Sequence, residues 1–205
     1  MSVTIKPLTK DLIPAYLDFF DHRAFSDNNP NGPCYCTSPS MTAASIQKMV
    51  SEFGDDVKGT IRRYAERLLE EGKIHGYLAF NGDTPIGWCN AGDLADYVNV
   101  GFDAEMSEFI HENACGKTMS VVCFAIAPEY RGKGIATALL QRAIFDAREN
   151  GYAVVEGYAT VLDEPVYYDY TGPIALFEKM GFYEVARHQD RVILRKDVRH
   201  EDQED

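Results

Sequence analysis

The segment from residue 125 to residue 136, AIAPEYRGKGIA, carries the residue types best suited to binding an anion. Gly132 and Gly134 permit backbone conformations that other residues avoid, and they let a ligand approach the main chain closely. Arg131 and Lys133 place two cations beside these glycines. If a helix begins here, its first amides have no partner inside the helix and lie at the positive end of its dipole. The segment is therefore predicted to bind a phosphate-bearing ligand.

The elements on either side of this turn predict how it is positioned. Residues 119–126 are almost continuously apolar, which is typical of a strand covered on both faces. Residues 134–148 carry an apolar stripe at helical spacing, and the helix is expected to end at Asn150 and Gly151. Residues 152–157 read as the next strand. A strand, a helix and a strand joined by short links predict a right-handed crossover with two parallel strands.

The remaining pattern predicts a mixed sheet with helices. Residues 26–40 are rich in proline and asparagine and are expected to form a long loop, and residues 92–116 are expected to be largely irregular. Residues 81–85 are expected to connect a hairpin. Further strands are predicted at 3–6, 77–80, 86–91, 182–186 and 191–195, and helices at 12–20, 41–53, 57–71, 104–111 and 174–180. This order favours one α/β sheet over separate all-α and all-β domains.

The segment differs from two other phosphate-binding turns. A P-loop needs Gly, four residues and then Gly-Lys-Ser/Thr, and the sequence contains no such run. A dinucleotide-binding turn needs a third glycine where Thr137 stands, directly after the strand. Glu156 lies about where a ribose-binding acid would be expected, so a dinucleotide-binding oxidoreductase stays open as an alternative.

The segment resembles the acetyl-CoA signature of the GNAT acetyltransferase superfamily, Arg/Gln-x-x-Gly-x-Gly/Ala. Arg131, Gly134 and Ala136 match this signature, and Pro128 and Tyr130 also stand in their usual places. Residues 175–182, ALFEKMGF, are similar to the superfamily's second motif, and the resemblance covers residues 76–195. It implies an α/β (α+β) fold: a mixed, mostly antiparallel central sheet with one splayed parallel pair and helices on both faces.

The resemblance also implies a reaction and a cosubstrate. The chain would transfer the acetyl group of acetyl-CoA to a primary amine of a small molecule or a protein, directly and through a tetrahedral intermediate. The main chain of Phe124 and Ile126 would bind the pantetheine arm. The pyrophosphate would lie on the turn, at Arg131, Gly132, Lys133, Gly134, Ile135 and Ala136.

The catalytic groups are harder to assign. Many relatives have a tyrosine that protonates the departing thiolate where this chain has Phe177, and phenylalanine has no proton to give. Tyr168 and Tyr170, and with them Tyr167, stand just upstream and are candidates for that acid, although a thiolate can also leave unassisted. Glu156 is the candidate base, since a partly buried carboxylate has a raised pKa; a solvated acid at a strand end is the alternative. A catalytically weak CoA-binding sensor therefore stays open as a second function.

Length and composition predict one ordinary globular domain. The chain has 205 residues, 45% hydrophobic and 25% charged. We expect a single domain over residues 1–196, with a CoA-binding core at 76–195, a variable acceptor-side region at 26–60 and an acidic tail at 197–205. The net charge of −12 argues against broad electrostatic binding of nucleic acid or an anionic membrane. The oligomeric state is left open, with a homodimer as one alternative.

The five cysteines are odd in number, and the chain has no apolar leader and no run of 18 apolar residues. A cytoplasmic protein without disulfides is expected. Cys34 and Cys36 form one Cys-x-Cys without a second pair at ligand spacing, so no metal site is predicted. In uncharacterised relatives a similar Cys-aromatic-Cys segment precedes the second helix, which implies that Cys34 to Cys36 line the acceptor pocket. Cys123 is expected to be a core residue.

Overall fold

The computed structural model describes residues 2–27, 29, 32–53, 57–100, 104–162 and 170–199. Its strands are β1 (Val3–Pro7), β2 (Gly76–Asn81), β3 (Thr84–Asp93), β4 (Thr118–Ile126), β5 (Val154–Thr160), β6 (Tyr183–His188) and β7 (Arg191–Asp197). Its α-helices are α1 (Ile13–His22), α2 (Ala43–Phe53), α3 (Val57–Glu70), α4 (Ala104–Glu112), α5 (Ile135–Glu149) and α6 (Ile174–Lys179). Each strand and helix predicted from the sequence is present, with ends that differ by a few residues.

The strands form one seven-stranded sheet in the order β1-β2-β3-β4-β5-β7-β6. Within the described residues β4 and β5 are the one parallel pair, and the other neighbours are antiparallel. This confirms the predicted mostly antiparallel sheet with a strand-helix-strand crossover at its centre. It also differs from the parallel, doubly wound sheet of dinucleotide-binding proteins.

The parallel pair separates at one end. Pairing of β4 with β5 runs from Thr118 opposite Val154 to Val121 opposite Gly157, although both strands continue further. In the same region Val122 is an extra residue in β4, because β3 pairs with Cys123 and Val121 on either side of it. Such a bulge bends a strand and strengthens its twist. The predicted splay is therefore confirmed, and it leaves the last residues of β4 without β5 as a neighbour.

Helices pack on both faces of the sheet and divide the core in two. On one face α5 and α6 cover β4 and β5 through residues such as Leu139, Leu140, Ala143 and Phe177. On the other face α1, α3 and α4 contribute Tyr16, Phe19, Leu68 and Met106 among others. The splayed strands therefore lie between two helical layers, and the turn into α5 opens beside them.

Two local predictions need adjustment. The hairpin connection is tighter than residues 81–85, because the strands run to Asn81 and Thr84 and Gly82 takes a φ of 61° in the turn. The first residues of the expected acidic tail belong to the fold, since β7 runs to Asp197 and buried Val198 donates its N–H to the carbonyl of Ala153 at 3.1 Å. Residues 200–205 lie outside the described residues. Among the described helices, none is long and apolar enough to cross a bilayer.

Candidate active site

The turn between β4 and α5 has the backbone geometry that its two glycines suggested. Gly132 has a φ of 71° and Gly134 a φ of 80°, both in the left-handed region that favours glycine. The first helical hydrogen bond of α5 is donated by Ala138 to the carbonyl of Gly134. In the described part of the chain, the backbone N–H groups of residues 132–137 have no hydrogen-bond acceptor. They form a cluster of free donors at the positive end of a helix.

A cavity of about 660 Å³ lies against these amides. Its walls come from the turn, the start of α5, the end of β5 and α6. The lining residues are Ile126, Tyr130, Arg131, Gly132, Gly134, Ile135, Ala136, Thr137, Thr160, Leu162, Pro173, Ile174, Leu176 and Lys179. The volume is within the range of cavities that hold cofactors. Six of the eight residues predicted to bind the cofactor line it.

Sequence reasoning missed the far wall of this cavity. Thr160 lies at the end of β5, and Lys179 lies at the end of α6. Only folding brings them to the turn, because the signature is local to the start of α5. A signal for Lys179 was available, since it stands within the second motif, ALFEKMGF. Lys179 is therefore a second cation, besides Arg131, among the residues that line the cavity.

A smaller cavity of about 90 Å³ reaches Phe124. It shares Ile126, Arg131, Ala136, Pro173 and Leu176 with the large cavity, and Tyr170 and Gly172 lie on its other side. Gly172 has a φ of 87°, and a Cβ there would lie 3.1 Å from the ring of Phe124. The two spaces adjoin, and together they extend from the turn to the part of β4 that has separated from β5.

The main-chain groups predicted to bind pantetheine already have partners. The N–H of Phe124 donates to the carbonyl of Tyr170 at 2.6 Å, and the carbonyl of Ile126 accepts from Arg131 Nε at 3.2 Å. On β5, the N–H of Thr160 donates to Thr171 Oγ1 at 3.3 Å. Residues 170–172 thus bridge the separated strands. A pantetheine arm that paired with Phe124 would replace the Tyr170 carbonyl there.

The two cations of the turn have different positions. Arg131 lines both cavities and donates from Nη1 to Asp27 Oδ2 at 2.6 Å. This hydrogen bond holds the pKa of Asp27 below its usual value and ties the loop after α1 to the turn. Lys133 does not line either cavity, and its ammonium group lies over the ring of Tyr130 at 5.4 Å.

Tyr170 is the candidate acid that the structure brings to the inner cavity. Its ring packs against Phe25 with 5.6 Å between centroids. Its hydroxyl is buried and has no hydrogen-bond partner within the described residues. Burial raises the pKa of Tyr170 to about 12, so the proton stays on the oxygen at neutral pH. Tyr167 and Tyr168, the other candidates, lie outside the described residues.

The structure does not bring Glu156 to these cavities. Its side chain is 1% exposed, and Oε1 accepts from Arg195 Nε at 2.7 Å and Nη2 at 2.6 Å. The Tyr158 hydroxyl donates to Oε2 at 3.2 Å and lies 2.7 Å from the Ser120 hydroxyl. Burial raises the pKa of Glu156, and the ion pair with Arg195 offsets that effect only in part. The expected rise in the pKa of Glu156 is therefore present. The carboxylate lines neither cavity, and its contacts are with Arg195 and the Tyr158 hydroxyl.

Phe177 is fully buried in the wall beneath the site. Its ring lies 5.3 Å from that of Phe182 and 6.2 Å from that of Phe124, measured between centroids. It also packs directly on Gly157 of β5, where a Cβ would lie only 2.2 Å from the ring. Phe177 lines neither cavity, so its position explains why a proton donor at this residue would not reach the cleft described above.

Phe177→Tyr is therefore expected to leave the rate of acetyl transfer no higher than that of the wild type. The added hydroxyl would press on the backbone of β5, and overpacking of this kind costs about 1–3 kcal/mol of unfolding free energy. Denaturant unfolding and turnover measurements on the same samples test this. Phe145→Tyr is the matched control, because Phe145 is 60% exposed and its new hydroxyl would meet solvent. A tenfold gain in turnover at unchanged stability would contradict the expectation.

Comparison with known proteins shows to which family the chain is similar. A family model described as the acetyltransferase (GNAT) family matches residues 43–182. None of the curated proteins matches the chain in sequence. Within the described residues, no group of three or more His, Cys, Asp and Glu side chains could hold a metal ion.

Several solved structures share the fold along nearly the whole chain. The ribosomal-protein-S18-alanine N-acetyltransferase of Escherichia coli is 12% identical, with a TM-score of 0.52 over 99% of this chain and 98% of its own. The PaiA N-acetyltransferase of Thermoplasma acidophilum, solved with coenzyme A, is 15% identical, with a TM-score of 0.51 over 96% and 99%. The YncA protein of Salmonella typhimurium, solved with acetyl-CoA, is 16% identical, with a TM-score of 0.52 over 97% and 95%. At these identities the likeness shows the fold.

Proposed function

Because this chain belongs to the acetyltransferase (GNAT) family, whose model matches more than half of it, we propose that it transfers the acetyl group of acetyl-CoA to a primary amine. The observation that carries the proposal is the set of unpaired amides at residues 132–137 facing a cavity of about 660 Å³. Unpaired amides at a helix start bind phosphate groups well. The pyrophosphate of acetyl-CoA is the group that we place there, with Arg131 beside it.

The residues that line the two cavities support one orientation of the cosubstrate. The nucleotide end would lie at the turn, and Lys179 would supply charge to a phosphate at the opposite wall. The pantetheine arm would follow the cavity past Ile126 toward Phe124, where the acetyl group would meet the splayed strands. An amine acceptor would then approach from the other face of the sheet, where the loop after α1 lies.

Direct transfer requires a neutral amine, a donor for the oxyanion and a proton for the thiolate. We propose Glu156 as the base, acting through the Tyr158 hydroxyl. The neutral amine nitrogen forms a bond to the acetyl carbon, and as it does so one N–H proton passes to the Tyr158 oxygen while the Tyr158 proton passes to Glu156. The tetrahedral intermediate then collapses, and the thioester C–S bond breaks. The Tyr170 hydroxyl, buried without a partner among the described residues, is the proposed donor to the departing sulfur.

This function predicts CoA release that depends on an amine. The purified protein should bind acetyl-CoA in a thermal-shift titration, and a panel of small amines and peptides with free amino groups should contain acceptors that release CoA at rates well above hydrolysis. The unpaired amides of residues 132–137 would bind the pyrophosphate of acetyl-CoA. The separated strands β4 and β5 would position the acetyl group for attack by the amine. Binding without turnover on any amine would favour a CoA-binding sensor instead. The acidic net charge of −12 makes cationic acceptors the first to test.

A further inference from the structure

The sulfur of Cys36 lies among buried groups of β3 and β4, on the face of the sheet away from the CoA cavity. Asn90 Nδ2 lies 3.2 Å from Cys36 Sγ. Cys123, the cross-strand partner of Asn90 on β4, belongs to the same buried cluster as Cys36. The buried indole N–H of Trp88 on β3 has no hydrogen-bond partner within the described residues. A neutral thiol is a weak acceptor, so an amide donor directed at the sulfur favours the thiolate form.

The Asn90 amide is itself held in place. The Tyr97 hydroxyl donates to Asn90 Oδ1 at 2.6 Å, which fixes the direction of the Nδ2 donor. Asn90 Nδ2 also reaches the carbonyl oxygen of Cys36 at 3.3 Å. All of these groups are buried. The Asn90 donor is therefore fixed by buried hydrogen bonds on both sides of its amide.

The backbone at Tyr35 and Cys36 has an unfavourable conformation. Tyr35 has a φ of 46° and Cys36 a φ of 47°, both in a region that L side chains rarely adopt. The Tyr16 hydroxyl donates to the carbonyl of Tyr35 at 2.6 Å and holds the strained segment against α1. Two consecutive strained residues persist where surrounding contacts determine them, often at functional positions.

Cys36 and Cys34 have pKa values that are shifted in opposite directions. The neighbouring Cys123 thiol above all, and the hydrogen bond from Asn90, lower the pKa of Cys36, although burial alone would raise it. Burial raises the pKa of Cys34 to about 12, and Cys34 only accepts the backbone N–H of Cys36 at 3.5 Å. The two cysteines of the Cys-Tyr-Cys segment thus differ in their tendency to ionise. Cys36 is the one that more readily forms a thiolate.

We propose that Cys36 and Cys123 form a reversible disulfide when the protein meets a peroxide. Asn90, which bonds the Cys36 sulfur, is the cross-strand partner of Cys123, so both thiols lie against the same side chain. All five cysteines are free in the described state. The bond would tie the loop before α2 to β4 at the residue next to Phe124.

The chemistry balances with hydrogen peroxide as the oxidant. The Cys36 thiolate attacks one peroxide oxygen, so an S–O bond forms, the O–O bond breaks and hydroxide leaves. The Cys123 sulfur then attacks the Cys36 sulfenic acid, so the S–S bond forms and the S–O bond breaks. The Cys123 proton leaves with the hydroxyl group as water. Two thiols and one peroxide give one disulfide and two waters.

Peptide mapping of the intact protein tests the site. Folded protein is treated with a small excess of hydrogen peroxide, blocked with N-ethylmaleimide and digested without reduction. We expect a linked peptide pair that joins Cys36 to Cys123 and disappears after treatment with dithiothreitol. Cys36→Ser and Cys123→Ser should each abolish it, and circular dichroism verifies that the variants are folded.

Cys89→Ser is the matched control. Cys89 is the neighbour of Asn90 on β3, is equally buried and packs on the opposite face of the sheet, so its loss should leave the Cys36–Cys123 link intact. A link from Cys34 to either thiol, or oxidation of Cys36 that stops at the sulfinic acid, would overturn the proposal. Absence of any link in folded wild-type protein would overturn it as well. The mapping does not depend on acetyl transfer, so its outcome is separate from that of the proposed function.

Discussion

Gly134→Glu is expected to reduce the affinity for acetyl-CoA by at least about 100-fold, or ~2.7 kcal/mol. A Cβ at Gly134 would meet nothing within 4 Å, so the new side chain extends into the cavity itself. Its carboxylate would then occupy the space of the pyrophosphate and repel it. The φ of 80° adds a conformational cost of about 1–2 kcal/mol for any residue with a side chain. Isothermal titration with acetyl-CoA measures the loss.

Gly151→Glu separates this effect from strain and from charge. Gly151 has a φ of 70°, and a Cβ there would also meet nothing within 4 Å, but it follows the other end of α5. A glutamate is favourable at a helix start and unfavourable after its end, so Gly134→Glu should fold at least as well as its control. We expect wild-type affinity, within about twofold, for Gly151→Glu. Equal affinity of both variants and the wild type would place the pyrophosphate elsewhere.

Glu156→Gln is expected to lower both stability and turnover while changing acetyl-CoA affinity little. Removing one partner of a buried ion pair leaves the other uncompensated, here Arg195, and costs about 3–5 kcal/mol. If Glu156 is the base, turnover of the folded protein should fall by about 10²–10⁴-fold as well. Denaturant unfolding and single-turnover rates measure the two effects separately.

Tyr158→Phe tells the two roles of Glu156 apart. It removes the hydroxyl that donates to Glu156 but leaves the ion pair with Arg195 in place. A base that acts through Tyr158 predicts a large loss of turnover in this variant also, with a much smaller loss of stability. Wild-type turnover in Tyr158→Phe would leave Glu156 with a purely structural role.

The pH profile gives a further readout for the same residue. A base works only when it is deprotonated, so activity should rise as the pH increases through its pKa. Because burial raises the pKa of Glu156, we expect this acidic limb above the usual range of a glutamate. The limb should be absent from the residual activity of Glu156→Gln, and a limb that persists unchanged in that variant would belong to another group.

The parts of the site that are contiguous in the chain were predictable from residue type and spacing. The turn could be recognised because Gly132 and Gly134, the cations beside them and the following helix lie within a few residues of one another. The crossover was predictable for the same reason, since the apolar run of β4 and the stripe of α5 are local patterns. Even Phe177 could be recognised as a departure, because it stands in a motif.

The contacts between distant segments were not predictable in this way. Glu156 reads as a strand acid with a raised pKa, but its pairing with Arg195 depends on β7 lying beside β5. The bond from Phe124 to the Tyr170 carbonyl depends on where the segment after β5 returns to the sheet. Cys36 reads as half of an ordinary Cys-x-Cys, and the buried groups around it come from two strands more than fifty residues away. No local sequence pattern indicates contacts between such distant segments.

Residue order alone thus established the fold class, the crossover and the anion-binding turn, because hydrophobic periodicity and glycine conformation act over a few neighbouring positions. The extent of the cavity, the partners of Glu156 and the environment of Cys36 follow from packing two helical layers against a sheet whose central strands separate. Burial and hydrogen bonding across such distances depend on the whole three-dimensional arrangement, so they become visible only once the chain is folded.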